Sequence, residues 1–184
     1  MKTILQFACA LALTLAGSTA FSAPISEPEQ STEGIRSFDL SAEQKGSFEL
    51  SFDATPLADK IDCFTGIAES TPRRANDVAV IVRFNDAGVI DARNGNSFAA
   101  DQKLGYASGR TYRVRMVVDM THKTYSVFVA PAGGAEVALA KNYAFRSGQG
   151  SARSLGKLVL AGYKGPNGFA GGHRVSGILL KPAP

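Results

Sequence analysis

Tyr112-Arg-Val-Arg-Met-Val-Val-Asp-Met-Thr-His-Lys-Thr-Tyr-Ser-Val-Phe-Val-Ala130 is the stretch that identifies the fold class, because apolar side chains recur at every second position on both sides of a short polar segment. A period of two is typical of β-strands that bury one face. The stretch therefore predicts an antiparallel hairpin that turns at residues 120–123, with Arg115 opposite Phe128 on its polar face. The pairs expected on the apolar face are Val118–Tyr125, Met116–Val127 and Val114–Val129.

A second hairpin is predicted upstream, over residues 78–93. Apolar side chains alternate from Val78 to Phe84, and Asp86-Ala87-Gly88 forms a turn signal before the next strand. If the hairpin closes between Asn85 and Val89, Arg83 lies opposite Asp91. The expected apolar pairs are Phe84–Ile90 and Val82–Ala92. Opposite charges then meet on one face while apolar groups meet on the other, which supports this register.

Several further segments have the pattern of short strands. Residues 47–53 alternate between apolar and polar side chains, and strands are also expected near 62–68, 136–140, 155–161 and 173–181. Gly-rich turns separate them, and no segment of ten or more residues has helical apolar spacing. Eight to eleven short strands predict an all-β fold, a two-sheet antiparallel jelly-roll sandwich.

Length and composition exclude several classes of protein. The 184 residues suit one domain, and a 45% hydrophobic content is ample for a sandwich core. A net charge of +4 is far below that of a typical nucleic-acid-binding domain. Two Cys cannot form a disulfide framework, and two His make a His-rich metal site improbable.

The N-terminus has the features of a signal peptide. Lys2 precedes an apolar run over residues 4–16, which is too short for a membrane span, and small residues follow it. We therefore expect a signal peptide over residues 1–23 with cleavage near 20–23, a flexible leader over 24–34, and one β-sandwich domain over 35–184. Cys9 lies within the signal peptide, so Cys63 is the single mature Cys, expected to be a buried or partly buried free thiol unless it pairs with another chain. The predicted location is secreted or periplasmic.

Five segments together carry a resemblance to a known family. They are Phe48-Glu-Leu-Ser-Phe-Asp-Ala-Thr-Pro-Leu57, Val80-Ile-Val-Arg-Phe-Asn85, Ile90-Asp-Ala-Arg-Asn-Gly95, Lys123-Thr-Tyr-Ser-Val-Phe-Val129 and Tyr143-Ala-Phe-Arg146. In them the chain resembles the concanavalin A-like lectin/glucanase (LamG-like) modules of secreted polysaccharide-active proteins. The resemblance implies a jelly roll whose concave face or rim loops bind glycans, sometimes with a structural calcium. The sequence lacks Trp, the residue most used to stack on sugar rings.

Arginine and amide side chains are the candidate ligand-binding groups. Arginine forks match carboxylates with two parallel hydrogen bonds, so an acidic polysaccharide is the ligand they favour. The opposite interpretation is structural: Arg83–Asp91 as a cross-strand ion pair and Arg115 over Phe128 as a surface cation–π contact. The candidates are Arg83, Asn85, Asp91, Arg93, Asn94, Arg113, Arg115, Phe128 and Arg146.

Catalysis and metal binding have weaker support in the sequence. The strands lack the paired carboxylates that a glycosidase needs. Tyr143 and Arg146 could form part of a polysaccharide lyase site, with Tyr143 as acid or base. No cofactor is expected apart from a possible structural Ca²⁺. The weak calcium candidates are Asp91, Asn94, Asn96 and Asp101, although Asn94-Gly95 is also an ordinary turn signal.

Three hypotheses about function follow from these observations. The favoured one is a secreted non-catalytic carbohydrate-binding module for acidic or cell-wall polysaccharide. The alternatives are a small polysaccharide lyase acting on uronate-containing glycans, and a cell-surface adhesion or interaction protein. The expected partner is a glycan, with no nucleic acid and no membrane span, and we expect the chain to be a monomer.

Overall fold

The computed structural model describes residues 28–165 and 168–183, which form twelve β-strands and one three-residue 3-10 helix, Ala75–Asp77. The expected signal peptide, its cleavage site and the first residues of the leader lie outside this range. Within it, no helix is long and apolar enough to cross a membrane. The strands are β1 (Glu29–Gln30), β2 (Gly34–Gln44), β3 (Phe48–Pro56), β4 (Asp62–Ala68), β5 (Val80–Phe84), β6 (Val89–Asn94), β7 (Ser97–Gly105), β8 (Tyr112–Asp119), β9 (Thr124–Pro131), β10 (Val137–Ala144), β11 (Leu155–Tyr163) and β12 (His173–Pro182).

The strands form two antiparallel sheets of six strands each. Sheet A has the order β1-β12-β3-β8-β9-β10, and sheet B has the order β2-β11-β4-β5-β6-β7. Non-consecutive neighbours such as β12 and β3 show that the chain crosses between the sheets. The prediction of an all-β jelly-roll sandwich is confirmed, with twelve strands in the described residues instead of eight to eleven.

Both predicted hairpins occur in the predicted register. In sheet A, β8 pairs with β9 so that Val118 lies opposite Tyr125 and Arg115 opposite Phe128. In sheet B, β5 pairs with β6 so that Arg83 lies opposite Asp91. The two hairpins belong to different sheets, which the sequence did not reveal.

The main hydrophobic core lies between the two sheets. Alternate residues of β3 and β8 in sheet A, such as Phe52 and Met116, are fully buried against β4 and β5 of sheet B. Cys63 belongs to this core as a buried free thiol, and burial raises its pKa to about 11. Its Sγ donates a hydrogen bond to the carbonyl of Gly171 at 3.1 Å. The prediction of a buried thiol is therefore confirmed.

A second apolar cluster covers the outer face of sheet B. Phe64, Ile81 and Val159 point away from the main core, and Val78 from the segment before β5 packs on them. The approach is close, because a Cβ on Gly66 would lie 2.5 Å from Val78 Cγ1 and 2.6 Å from the carbonyl oxygen of Val80. The segment that contains the 3-10 helix is therefore fixed against this face.

The N-terminal segment joins the two sheets. β1 pairs with β12 at the edge of sheet A, and Glu33 then forms a parallel bridge with Gly162 of sheet B. Between these contacts Ser31 is fully buried. The prediction of a flexible leader is therefore wrong for residues 29–34, because polar composition did not reveal that Ser31 has buried partners.

Those partners form a polar network in the core centred on His173, which is 0% exposed. Ser31 Oγ lies 2.8 Å from His173 Nδ1, and Thr65 Oγ1 of sheet B lies 2.7 Å from His173 Nε2. The His173 backbone N–H also donates to Ser31 Oγ at 2.8 Å. The imidazole therefore links the N-terminal segment, sheet A and sheet B.

Candidate functional site

The outer face of sheet B contains a small pocket where aromatic rings and arginines meet. Its volume is about 100 Å³. Its walls come from β4, β5, β7 and β11, from the 3-10 helix and from the segment after β10. The lining residues are Asp62, Phe64, Ala75, Arg83, Phe98, Arg146 and Tyr163.

Strand register explains why these side chains share one face. Residues that pair directly across two strands point to the same side of a sheet. Phe64 of β4 pairs with Arg83 of β5, while their neighbours Cys63 and Phe84 pair with each other on the core side. The same alternation in β4 and β11 pairs Asp62 with Tyr163, and that in β6 and β7 pairs Arg93 with Phe98. The pocket is thus a consequence of period-two patterning in sheet B.

Arg83 is held in place by carboxylates. Its Nε and Nη2 donate to the two oxygens of Asp91 at 2.9 and 2.8 Å, and Nη1 approaches Asp62 at 3.5 Å. Burial opposes its charge, but the hydrogen bonds and charge of Asp91 outweigh that effect and raise the pKa of Arg83. The guanidinium also lies 3.6 Å from the centre of the Phe98 ring. Arg83 is therefore a fixed wall of the pocket with its charge compensated.

Arg93 and Arg146 lie beside Arg83 with fewer partners. Arg93 Nε donates to the carbonyl of Gly95 at 3.0 Å, and Arg146 Nη2 donates to Asn76 Oδ1 at 2.6 Å. In the described part of the chain neither arginine lies within 4.0 Å of a carboxylate. Partial burial and repulsion from the neighbouring arginine lower the pKa of each. The site therefore has two arginine charges without a counterion.

Tyr163 supplies a ring and a hydroxyl to the same site. Its ring centre lies 6.0 Å from that of Phe64, so the two rings form one apolar surface. The hydroxyl oxygen is buried and has no hydrogen-bond partner among the described residues. Burial raises the pKa of Tyr163, so the hydroxyl keeps its proton at neutral pH and can donate it to an acceptor.

A larger cleft adjoins the pocket. It has a volume of about 560 Å³, and it shares Ala75 and Tyr163 with the pocket. Its other walls are the start of β2 and the loop before the 3-10 helix. These residues are Gly34, Ile35, Pro72, Arg73, Arg74 and Asn76. The pocket and the cleft are neighbours that share Ala75 and Tyr163, and we call them together the sheet B groove.

The predicted binding residues do not all lie at this groove. Arg113, Arg115 and Phe128 lie on the outer face of sheet A, on the opposite side of the sandwich. Arg115 donates to both oxygens of Glu136 at 3.1 and 2.7 Å, and its guanidinium lies 4.0 Å from the centre of the Phe128 ring. The candidate arginines therefore lie on two faces, because the two hairpins that carry Arg83 and Arg115 belong to different sheets.

Asn85, Asp91 and Asn94 have structural contacts. Asn85 Nδ2 donates to Asp91 at 2.7 Å, and its Oδ1 accepts hydrogen bonds from the backbone of Ala87 and Val89 in the turn. Asn94 Oδ1 accepts the Ala144 N–H of β10 at 3.1 Å. These side chains stabilise the turns that frame sheet B, and Asp91 orients Arg83.

Tyr143, the candidate lyase residue, is buried in the core and is 5% exposed. Its hydroxyl donates to Asp101 Oδ1 at 2.9 Å, and burial raises its pKa to about 12. Arg146, three residues later, lines the pocket on the outer face of sheet B. The hydroxyl of Tyr143 therefore does not face the pocket that Arg146 lines.

Three of the calcium candidates have hydrogen-bond partners within the protein. Asp91 binds Arg83, Asp101 accepts from the Lys141 N–H and from Tyr143, and Asn94 binds β10. Across residues 28–165 and 168–183, no group of three or more His, Cys, Asp or Glu side chains is arranged to hold a metal ion.

The sequence also missed part of the site: Phe64, Phe98 and Tyr163. The pattern of β4 was recognised without its pairing, and pairing it with β5 would have placed Phe64 opposite Arg83. Phe98 lies on an edge strand whose side chains are mostly polar, and Tyr163 follows the last residue of the predicted strand near 155–161. Comparing the possible registers of all predicted strands could have identified these three residues.

No family model matches the chain. Among curated proteins, it is similar to a gellan lyase from a Bacillus species, with 29% identity over 110 residues. That alignment covers 58% of this chain and 4% of the enzyme, so the chain spans a small fraction of the relative's length.

Solved structures with a similar fold include plant lectins. Lectin I-B4 from Griffonia simplicifolia superposes with a TM-score of 0.55 at 14% identity, over 82% of this chain and 81% of the lectin. Lectin II from Ulex europaeus gives 0.53 at 12% identity, over 88% and 85%. A sialidase gives 0.52 at 14% identity, over 85% of this chain and 15% of the enzyme. The chain has the concanavalin A-like lectin/glucanase jelly-roll fold.

Proposed function

We propose that the chain is a secreted, non-catalytic carbohydrate-binding module that binds acidic or cell-wall polysaccharide in the sheet B groove. The observation that carries the proposal is the combination of flat rings and arginines in one pocket, formed by Phe98, Tyr163, Arg83 and Arg146. Sugar binding needs apolar surface for ring C–H groups and oriented donors for hydroxyls, and these side chains provide both. Their rings provide a flat surface in a chain that has no Trp.

The comparisons add support of two kinds. The lectin structures have the same fold, and the gellan lyase relative carries a similar segment that is a small part of a much longer protein. A segment of that size fits a module that accompanies an enzyme. The lyase alternative loses its proposed proton acceptor, because the hydroxyl of Tyr143 is buried and already donates to Asp101.

Affinity electrophoresis tests the proposal directly. The purified chain is run in native gels that contain gellan, polygalacturonate, alginate or the neutral glucan laminarin. We expect at least one polysaccharide to retard the chain, with no rise in absorbance near 235 nm, where unsaturated lyase products absorb. Retardation by none of them would refute glycan binding, and a rise in absorbance would refute the non-catalytic assignment.

Two matched phenylalanine variants locate the binding surface. Phe98 and Phe128 each lie beneath an arginine, at 3.6 and 4.0 Å, on opposite sheets. Phe98→Ala is expected to weaken retardation, whereas Phe128→Ala is expected to leave it unchanged. The reverse result would place the binding surface on sheet A.

A further inference from the structure

The two outer faces of the sandwich differ in how their arginines are compensated. On sheet A, Arg113 lies 3.4 Å from Asp53, and Arg115 lies 3.4 Å from Glu49 and 2.7 Å from Glu136. Arg113 and Arg115 therefore each have a carboxylate within the molecule. On the same face, Arg174 of β12 is exposed and has no carboxylate within 4.0 Å among the described residues. The compensated pair Arg113 and Arg115 offers little net attraction to an anion.

On sheet B the balance is different. Asp91 and Asp62 are the carboxylates that contact the arginine cluster, and both contact Arg83. Arg93 and Arg146 have none within 4.0 Å among the described residues, although both are partly buried. Placing like charges close together in a partly desolvated site is unfavourable unless an anion offsets it. The local excess of positive charge is thus a feature of this groove and not of the protein as a whole.

Most N–H donors of the Arg93 and Arg146 side chains have no hydrogen-bond partner among the described residues. A guanidinium has five N–H donors. Within the described residues the side chain of Arg93 uses one of them, and so does that of Arg146. The Tyr163 hydroxyl, in the same pocket as Arg146, also has no partner there. A buried hydroxyl without a partner is unfavourable, and a bound acceptor would remove that penalty.

From these observations we infer that Arg93 and Arg146, with the Tyr163 hydroxyl, receive the carboxylate of a uronic acid residue in the bound polysaccharide. This inference rests on the proposed function and assigns its substrate class. The planar carboxylate accepts paired N–H donors from an arginine fork, which favours it over a neutral sugar. The Phe98 and Tyr163 rings would lie beside the sugar ring that carries this group, and Asp91 holds Arg83 away from the carboxylate.

Polymers that differ only in the carboxylate test the assignment. Isothermal titration calorimetry compares polygalacturonate with its methyl-esterified form, and native gellan with gellan whose carboxyl groups have been reduced. We expect the acid forms to bind at least about 10-fold more tightly. Dextran sulfate, tested in the same way, distinguishes a carboxylate site from a general site for anionic polymers. Tighter binding of dextran sulfate than of both acid polymers would overturn the inference.

Variants then assign the effect to named residues. Arg146→Gln and Arg93→Gln should each lose roughly 10- to 100-fold in affinity for the acid forms and little for the esterified form. Arg146→Lys keeps the charge and loses the fork, so it should recover only part of the affinity. Arg113→Gln removes the same charge from sheet A and serves as the matched control, with unchanged affinity expected.

The outcomes separate this inference from the proposed function. Equal binding of acid and esterified polymers would overturn the carboxylate assignment while leaving glycan binding intact. Equal weakening by Arg146→Gln and Arg113→Gln would show unspecific charge attraction and would also overturn it. If the chain binds none of these polymers nor laminarin, the proposed function itself is wrong.

Discussion

Gly172 lies where the N-terminal segment passes closest to the start of β12. A Cβ at this position would lie 2.0 Å from the carbonyl oxygen of Ser31 and 2.9 Å from its Oγ. Ser31 Oγ belongs to the buried network around His173, and the Ser31 N–H donates to the His173 carbonyl, so Ser31 cannot move away without breaking hydrogen bonds. Only glycine permits this contact.

Gly172→Ala is therefore expected to destabilise the fold by about 1–3 kcal/mol or more, as overpacking of a rigid site does. Gly46→Ala is the matched control, because a Cβ there has nothing within 4 Å. Urea unfolding followed by circular dichroism measures both. Equal stability of the two variants would contradict the close contact between residues 31 and 172.

His173 is the residue that makes stability depend on pH. Burial without a nearby charge lowers its pKa to about 3, whereas an unfolded histidine has a pKa near 6.5. Between these values the unfolded chain binds a proton that the folded chain does not bind. Stability is therefore fully present above pH 6.5 and falls as the pH drops towards 3, by about 1.4 kcal/mol per pH unit.

Urea unfolding at pH 7, 6, 5 and 4 measures this slope. His173→Gln should flatten it. If His173→Gln does not fold, the wild-type imidazole still provides a test by NMR. A His173 resonance that titrates between pH 7 and 5 would show that the ring is not buried as a neutral group.

Among the elements, the hairpins were predictable and the edges were not. Residues 78–93 and 112–130 each combine alternation with a turn signal, so their pairing followed from local sequence. β2 and β7 were missed because edge strands expose side chains on both faces, which weakens alternation. The two-residue β1 is too short to have a pattern, and its position depends on distant partners on β12.

The candidate site was predicted in part for the same reason. Arg83, Arg93 and Arg146 were identified as residue types that suit an acidic ligand, and the structure brings them to one face. Arg113 and Arg115 were assigned with them because local patterning cannot reveal which sheet a hairpin joins. That assignment depends on contacts between segments far apart in the chain, such as β3 with β12.

The N-terminal segment is an element whose removal can be measured. A chain that begins at Gly34 lacks β1 and Ser31, and so removes the buried partners of the His173 N–H and imidazole. It should be less stable by about 2 kcal/mol or more than a chain that begins at Pro28, since each buried group left without a partner costs about 1–3 kcal/mol. Thermal unfolding compares the two. Identical midpoints would mean that residues 28–33 do not stabilise the sandwich.

In the whole molecule, the outer faces of the two sheets differ in charge and shape, and this difference determines which ligands fit. On the outer face of sheet A, Arg113 and Arg115 are paired with carboxylates, whereas sheet B has a pocket of about 100 Å³ beside a cleft of about 560 Å³. Ligand sites in proteins usually measure about 300–1,000 Å³, so the pocket alone is small and the cleft has the size of a site for several groups. A groove of this kind suits the interior of a polymer better than a single terminal sugar.

Affinity should therefore rise with the length of the oligosaccharide. Oligogalacturonates of one to six sugars, titrated calorimetrically, are expected to gain at least about 10-fold in affinity between the shortest and the longest, because added sugars occupy the cleft beside Tyr163. Arg73→Gln/Arg74→Gln changes the cleft and leaves the pocket intact, so it should abolish that gain while preserving the affinity for the shortest ligand. A plateau at the single sugar would mean that the cleft takes no part in binding. Equal losses at every length would mean that Arg73 and Arg74 attract the polymer by charge alone and that no added sugar is bound in the cleft.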